Sequence, residues 1–139
     1  MIDLPPVLVD SNVVIDITSG DPKWEEWSAR QLVTFAGRLI INPVIYAELC
    51  FPLLSTAEAD QLVAFIGLRY VNFSRESLFL AAQAYKTYRQ RGGTKTAPLP
   101  DFFIGAHASA LGIPIITRDI TRYQTYFPSV TLISPPIHH

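Results

Sequence analysis

The sequence predicts a three-layer α/β/α domain built on a central parallel sheet of four to five strands. Short β-rich apolar runs alternate with longer segments of helical periodicity along the chain. The intervening segments are long enough for the crossover connections that join parallel strands. The 139 residues fit one domain, residues 1–139, and a composition that is 49% hydrophobic and 17% charged fits a sheet buried between helices.

Five short segments have the composition of buried strands, bounded by turn-forming residues. They are residues 7–9, 39–41, 70–73, 113–117 and 130–134.

Helix start and stop signals fill the intervals between these strands. The clearest is Ser55-Thr56-Ala57-Glu58, a capping box that opens an amphipathic run ending at Gly67. The other predicted helices begin at Asp21-Pro22, Asn42-Pro43, Ser74 and Pro100, and Gly37, Gly92 and Gly112 are stop signals. The glycine- and proline-rich residues 92–100 predict a mobile loop that leads into Asp101 and could gate or grip a substrate.

Charge and cysteine content restrict the function classes. Eleven basic and twelve acidic side chains give a net charge of −1, so any nucleic-acid binding must be local. A single cysteine, Cys50, excludes an intramolecular disulfide, fits a reducing cytoplasm and is expected to be buried. We expect a soluble, cytoplasmic protein without a signal peptide or membrane segment. His138 and His139 are as well explained by a purification-tag remnant as by a metal site, and we assign them no function.

Four acidic residues form the candidate site. Asp10 and Asp119 follow predicted strands, at the sheet edge where open α/β proteins bind ligands. Glu48 lies three residues after Ile45 and four after Val44, which places its carboxylate on or beside an apolar face of the predicted helix. A charged group there either reaches solvent at the edge of the helix or meets a cation. The spacing alone supports these two interpretations of Glu48 about equally. Asp101 lies in a first helical turn, where an acid commonly complements the helix dipole, and Asp10 and Asp119 are alternatively turn residues that cap the next segment.

Convergence of these four acids would favour a divalent cation. Neighbouring carboxylates raise one another's pKa, and a dication removes that conflict. The candidate ligands are all hard oxygens without a Cys/His cluster, so Mg²⁺ or Mn²⁺ is expected rather than zinc. Such a metal supports phosphodiester hydrolysis by polarising the phosphate and activating water.

Four motifs give the chain a family resemblance over essentially its whole length. They are VDSNVVID at residues 9–16, VIYAEL at 44–49, PDFFIGAHA at 100–108 and IITRD at 115–119. In their order and spacing the chain resembles the PIN-domain ribonucleases, and among them the VapC-like toxins of type II toxin–antitoxin systems. The resemblance implies a PIN-like fold, a Mg²⁺- or Mn²⁺-dependent endoribonuclease, a homodimer and a cognate VapB-like antitoxin.

The same resemblance implies roles for individual residues. Asp10, Glu48, Asp101 and Asp119 would be the catalytic, metal-binding acids, with Asn12 and Thr117 as supporting polar groups and Asp16 outside the quartet. Arg122 stands near the place where many relatives carry a further acid, so the sequence leaves open whether one or two metals bind.

Basic and aromatic residues near these motifs are weaker candidates. Arg118 is the preferred contact to RNA phosphate because it adjoins Asp119. Other cations, Lys86, Arg89, Arg91, Lys95 and Arg122, either bind phosphate or form ordinary solvated surface. Tyr123, Tyr126 and Phe127 are predicted to lie in the core or a dimer interface rather than the site.

Two other functions compete with the nuclease. A haloacid-dehalogenase-like phosphatase needs a second aspartate two residues after the first, where this chain has Asn12. A non-catalytic PIN-fold binding module is disfavoured by the presence of all four acids. The apolar helices over residues 24–35 and 44–54 could still dock an amphipathic partner segment, as the resemblance implies for the antitoxin. The sequence does not identify the RNA that is cleaved.

Overall fold

Five parallel strands form one sheet in a computed structural model that describes residues 4–96 and 98–136. In chain order they are β1 (Val7–Val9), β2 (Leu39–Ile41), β3 (Arg69–Tyr70), β4 (Ile115–Ile116) and β5 (Leu132–Ile133). Their spatial order is β3-β2-β1-β4-β5, and each neighbouring pair is parallel. The chain thus moves outward from β1 in one direction and then in the other, so the strand order reverses between β1 and β4. The predicted α/β fold with a parallel sheet is confirmed.

The outer strands are shorter than predicted. Residues 70–73 were expected to form a strand that is instead Arg69–Tyr70, and residues 130–134 reduce to Leu132–Ile133. Each of these strands has a partner on one side only, which limits the hydrogen-bonded ladder. The predicted strand at 113–117 reduces to Ile115–Ile116, the two residues over which β4 pairs with both β1 and β5.

Seven helices connect the strands within the described residues. They are α1 (Ser11–Thr18), α2 (Glu25–Thr34), α3 (Pro43–Cys50), α4 (Thr56–Ile66), α5 (Arg75–Gln90), α6 (Leu99–Leu111) and α7 (Thr121–Tyr126). The N-caps predicted for three of them are confirmed. Asn42, Ser55 and Ser74 accept hydrogen bonds from backbone N–H groups three residues later. Gly67 and Gly112 end α4 and α6 in the left-handed conformation, with φ of 82° and 66°.

Three helices depart from the sequence prediction. Asp21 does not begin α2. Its carboxylate accepts from the backbone N–H groups of Lys23 and Trp24 in a turn, and the helix starts at Glu25. The sequence signals identify neither α1 nor α7. α1 follows β1 without a connecting loop, and the six-residue α7 has no side-chain cap.

The core lies between the sheet and its helices. All apolar side chains of β1, β2 and β4 are buried, together with Ile45 of α3 and Phe102 of α6. A buried hydrogen bond of 3.2 Å joins Asn42 Nδ2 to His107 Nδ1, and burial lowers the pKa of His107. Asn42 Oδ1 accepts from the Ile45 N–H, so its amide group donates to a neutral imidazole. This pair ties the start of α3 to α6 and thereby positions two helices that carry candidate acids.

Three further expectations concern Cys50, membrane-spanning helices and the chain termini. Cys50 was predicted to be buried but is only partly so. No helix among residues 4–96 and 98–136 has the length and apolarity needed to cross a bilayer. His138, His139 and residues 1–3 lie outside the described residues, so both interpretations of the two histidines stay open.

Candidate active site

The candidate site lies at the carboxyl ends of the two central strands. Val9 of β1 pairs with Ile116 of β4, so the next residues, Asp10 and Thr117, emerge side by side. The Asp10 N–H donates to the Ile116 carbonyl at 3.0 Å, and the Thr117 hydroxyl donates to Asp10 Oδ2 at 2.9 Å. Because the strand order reverses here, this edge of the sheet is the usual ligand-binding position of an open α/β fold.

Asp10 is held by four donors. Its Oδ1 accepts from the Ser11 N–H at 2.8 Å. Its Oδ2 accepts from the hydroxyls of Thr117 and Tyr123, both at 2.9 Å, and from Asn12 Nδ2 at 3.4 Å. Since Oδ2 already meets three side-chain donors, Oδ1 has the greater capacity for a further ligand. The side chain is only 5% exposed, and burial raises its pKa from 3.8 to about 6 despite these hydrogen bonds.

Glu48 reaches the same site from α3. Its Oε1 accepts from the Ser11 hydroxyl at 3.1 Å, which links it directly to the residue after Asp10. Burial raises the pKa of Glu48 to about 7, and the charges of Asp10 and Asp101 add to this shift. Glu48 is therefore partly buried beside other carboxylates, and the choice between the two interpretations of its role stays a prediction.

Asp101 lies in the first turn of α6 and Asp119 in the connection between β4 and α7. Burial raises the pKa of Asp101, while the Arg122 guanidinium, whose Nη1 donates to Asp101 Oδ2 at 3.1 Å, opposes the shift. The charge of Asp119 also raises the pKa of Asp101. Asp119 itself is exposed, and its N–H donates to the Thr117 hydroxyl at 3.1 Å. The four predicted acids therefore interact electrostatically within one region.

The donor set fits a hard divalent cation. Carboxylate oxygens are the ligands that Mg²⁺ and Mn²⁺ prefer, and a dication would favour the ionised forms that burial and mutual repulsion disfavour. Across residues 4–96 and 98–136, however, no three Asp, Glu, His or Cys side chains meet closely enough to form a ready coordination cage. The assignment of Asp10, Glu48, Asp101 and Asp119 as metal ligands thus stays a prediction.

Comparison with known proteins identifies the family. The sequence matches the PIN domain family over residues 7–127. The chain belongs to this family. The predicted family resemblance is confirmed, although no protein of curated function matches the sequence.

Solved structures share the fold of this PIN domain at low sequence identity. DNA-bound VapBC from Salmonella typhimurium aligns with a TM-score of 0.70 at 16% identity, covering 93% of this chain and 97% of that one. VapBC2 from Rickettsia felis, bound to a DNA fragment from their promoter, gives 0.68 at 17% identity, with coverage of 94% and 98%. A toxin–antitoxin complex from Klebsiella pneumoniae gives 0.67 at 20% identity, with coverage of 90% and 95%. These similarities establish the fold.

Arg118 occupies a different environment in this PIN domain from the one expected. Its Nε and Nη2 donate to both oxygens of Asp16 at 2.7 and 2.8 Å, and its guanidinium lies 5.4 Å from the centre of the Trp24 ring. Asp16 is 1% exposed and also accepts from the Ser28 hydroxyl at 2.8 Å. The hydrogen bonds to Asp16 raise the pKa of Arg118. These contacts tie the β4–α7 connection to α1 and α2, and RNA binding by Arg118 stays a prediction.

Tyr123 lies in the core, one of the two places predicted for it from the sequence, and its hydroxyl also contributes to the site. It is 1% exposed, and its hydroxyl reaches Asp10 Oδ2. Burial and the charge of Asp10 raise the pKa of Tyr123, which keeps the hydroxyl a hydrogen-bond donor. The sequence signal that could have indicated this role is a tyrosine, an aromatic residue with a hydroxyl group, four residues after Asp119.

Asn12 and Thr117, the predicted polar supports, both contact Asp10, and Asn12 Oδ1 also accepts from the Arg118 N–H at 3.3 Å.

The raised pKa values predict that the metal-free PIN domain loses stability as pH rises from about 4 to about 7. In this interval Asp10 binds more protons in the folded state, where its pKa is about 6, than in the unfolded state, where it is 3.8. Glu48, whose pKa in the folded state is about 7, extends this loss of stability to higher pH. Urea unfolding in EDTA is expected to give a lower free energy of unfolding near pH 7.5 than near pH 4.5. Asp10→Asn should reduce this difference, and an identical pH dependence in the variant would contradict the assignment.

Proposed function

We propose that this PIN domain is a Mg²⁺- or Mn²⁺-dependent endoribonuclease that acts as the toxin of a VapBC-type toxin–antitoxin pair. The observation that carries the proposal is the burial of Asp10 and Glu48 beside Asp101, at the carboxyl ends of the central strands, with pKa values of about 6 and about 7 for the first two. Displaced pKa values in a crevice are typical of functional carboxylates. The family match and the VapBC structures of the same fold support the reaction class.

The proposed chemistry divides roles among the residues of the site. Asp10, Glu48, Asp101 and Asp119 would hold the dication, which when bound polarises the scissile phosphate and lowers the pKa of water. Thr117, Tyr123 and Asn12 hold Oδ2 of Asp10 and so fix the direction of Oδ1. Ser11 orients both Asp10, through its N–H, and Glu48, through its hydroxyl. These donors would keep the carboxylates in place while RNA substrate binds and product leaves.

Cleavage of structured RNAs by purified protein tests this function. Activity is expected with Mg²⁺ or Mn²⁺, and none with EDTA. Asp101→Asn should reduce the cleavage rate by roughly 100-fold or more because it removes a charged ligand. Asp60→Asn is the matched control, since Asp60 is an exposed aspartate on α4 that contacts Tyr46. Equal cleavage by the Asp101 variant and the parent would refute the proposal.

The proposed partners are a VapB-like antitoxin and a second copy of the chain. The solved structures of this fold include VapBC complexes, which supports a protein partner. Three apolar side chains on or beside α3 and α4 are almost fully exposed, namely Phe51 at 93%, Leu54 at 91% and Phe65 at 90%. Exposed aromatic side chains of this kind suit an amphipathic partner segment. A toxin that cleaves RNA would act in the cytoplasm, which is the localisation that we propose.

A further inference from the structure

Positive charge is concentrated in one stretch of the chain that leads to the candidate site. Residues 77–100 contain four basic side chains, Lys86, Arg89, Arg91 and Lys95, and no acidic one, whereas the whole chain has a net charge of −1. This stretch covers most of α5 and the loop that leads to α6. The first acidic residue after it is Asp101, a member of the candidate site. The segment that directly precedes Asp101 therefore carries a net positive charge.

Helix α7 connects these cations to the site. Arg122 donates to Asp101 Oδ2 at 3.1 Å, and its side chain is 34% exposed. Tyr126 lies four residues later and so on the same face of α7, one turn away. The Arg91 guanidinium lies 5.5 Å from the centre of the Tyr126 ring, and Arg91 is exposed. Arg91 therefore adjoins the α7 face that also carries Arg122, one turn nearer the site.

Two further tyrosines hold the loop on this surface. The Lys95 N–H donates to the Tyr88 hydroxyl at 3.3 Å, and the Lys95 carbonyl accepts from the Tyr85 hydroxyl at 3.4 Å. The Tyr88 ring also contacts the Tyr126 ring, with centroids 6.2 Å apart. Gly93 packs so closely that a Cβ would lie 2.4 Å from the Tyr88 ring, so a larger residue there would require the ring to move. The backbone of Lys95 therefore has a defined position although its side chain faces solvent.

We propose that Arg122, Arg91 and Lys95 form a basic strip that binds the RNA backbone next to the scissile phosphate. This inference rests on the proposed function, because it assigns the binding surface of the same site. Phosphate is the matching ligand for guanidinium and ammonium groups with access to solvent. Arg91 and Lys95 are exposed, and Arg122, which donates one hydrogen bond to Asp101, is 34% exposed on its side chain. Tyr126 positions the Arg91 guanidinium, and Tyr85 and Tyr88 fix the backbone of Lys95, so less conformational freedom is lost on binding. Arg118, which Asp16 engages through two hydrogen bonds, is not part of the strip.

Fluorescence anisotropy with a short labelled single-stranded RNA in EDTA tests the basic strip without cleavage. The double variant Arg91→Gln/Lys95→Gln is expected to bind roughly tenfold more weakly, and its log–log salt slope should fall by about 1.4 for two lost contacts. Arg69→Gln/Arg75→Gln removes two exposed arginines outside the strip and should bind like the parent. Unlabelled RNA should displace the probe at far lower concentrations than an acidic peptide.

The outcomes separate this inference from the proposed function. If the parent cleaves RNA with Mg²⁺ or Mn²⁺ while the strip variant binds as tightly as the parent, the strip is refuted and the nuclease stands. Equal losses in the strip variant and the control would refute the strip in the same way, because they would show a general charge effect. Equal displacement by an acidic peptide would overturn RNA as the ligand. A parent that cleaves no RNA would refute the proposed function.

Discussion

Asp10→Asn is expected to abolish RNA cleavage while leaving the protein folded. The change removes the negative charge at the centre of the site, where a dication requires it, so the rate should fall by roughly 100-fold or more. In metal-free protein the stability should match or exceed that of the parent at neutral pH. A buried carboxylate with a pKa of about 6 costs free energy when it ionises, and the amide does not ionise.

Cleavage assays and thermal unfolding of the same preparation measure both effects. The pKa shift of Asp10 sets an upper limit of about 3 kcal/mol on the stability gain at neutral pH, and the poorer match of an amide to four donors reduces it. The combination of lost activity with retained stability is typical of a group kept for function rather than for folding. A folded Asp10→Asn protein that cleaves RNA at close to the parental rate would contradict this assignment.

Asp16→Ala is expected to have the largest effect on stability. Asp16 is buried, accepts two hydrogen bonds from Arg118 and one from Ser28, and connects α1 to α2 and to the β4–α7 connection. Removing it leaves a partly buried guanidinium and a hydroxyl without their acceptor. The cost should be about 3 kcal/mol, near the lower limit for a broken buried pair because Arg118 is 29% exposed on its side chain. The melting temperature should fall by roughly 10 °C.

A matched aspartate elsewhere provides the control for this prediction. Asp60 is exposed and accepts one hydrogen bond, from the Tyr46 hydroxyl, so Asp60→Ala should change the free energy of unfolding by about 0.5 kcal/mol or less. Asp16→Ala should also slow cleavage, because the Arg118 N–H and Asn12 connect this ion pair to the surroundings of Asp10. Equal melting temperatures for the two alanine variants would show that the Asp16–Arg118 pair does not stabilise the fold.

Much of the fold was predictable because its determinants are local. Asn42, Ser55 and Ser74 cap helices through hydrogen bonds to residues only three positions away, and such signals are visible in the sequence. The position of Asp10 next to Thr117 was also predictable. Both follow apolar strands, and neighbouring parallel strands bring their carboxyl ends to one edge of the sheet.

The features that the sequence did not reveal depend on contacts between distant segments. The hydroxyl of Tyr123 meets a carboxylate 113 residues earlier, and Arg118 meets one 102 residues earlier. Adjacency along the chain favoured Arg118 as an RNA ligand, whereas the fold directs its guanidinium to Asp16. Helix α1 was missed because it begins directly at the end of β1, with Asp10 serving both as N-cap and as candidate ligand. Periodicity alone does not distinguish such a dual role.

In the proposed nuclease, four acids spread through the chain form one cation-binding centre. Calorimetric titration of Mn²⁺ into metal-free protein tests it most directly, with Glu48→Gln and Asp119→Asn compared with the parent and with Asp60→Asn. We predict that the parent and the Asp60 variant bind Mn²⁺ with equal affinity, and that the other two variants each bind roughly tenfold or more weakly. Unchanged Mn²⁺ affinity in both the Glu48 and the Asp119 variants would contradict the claim.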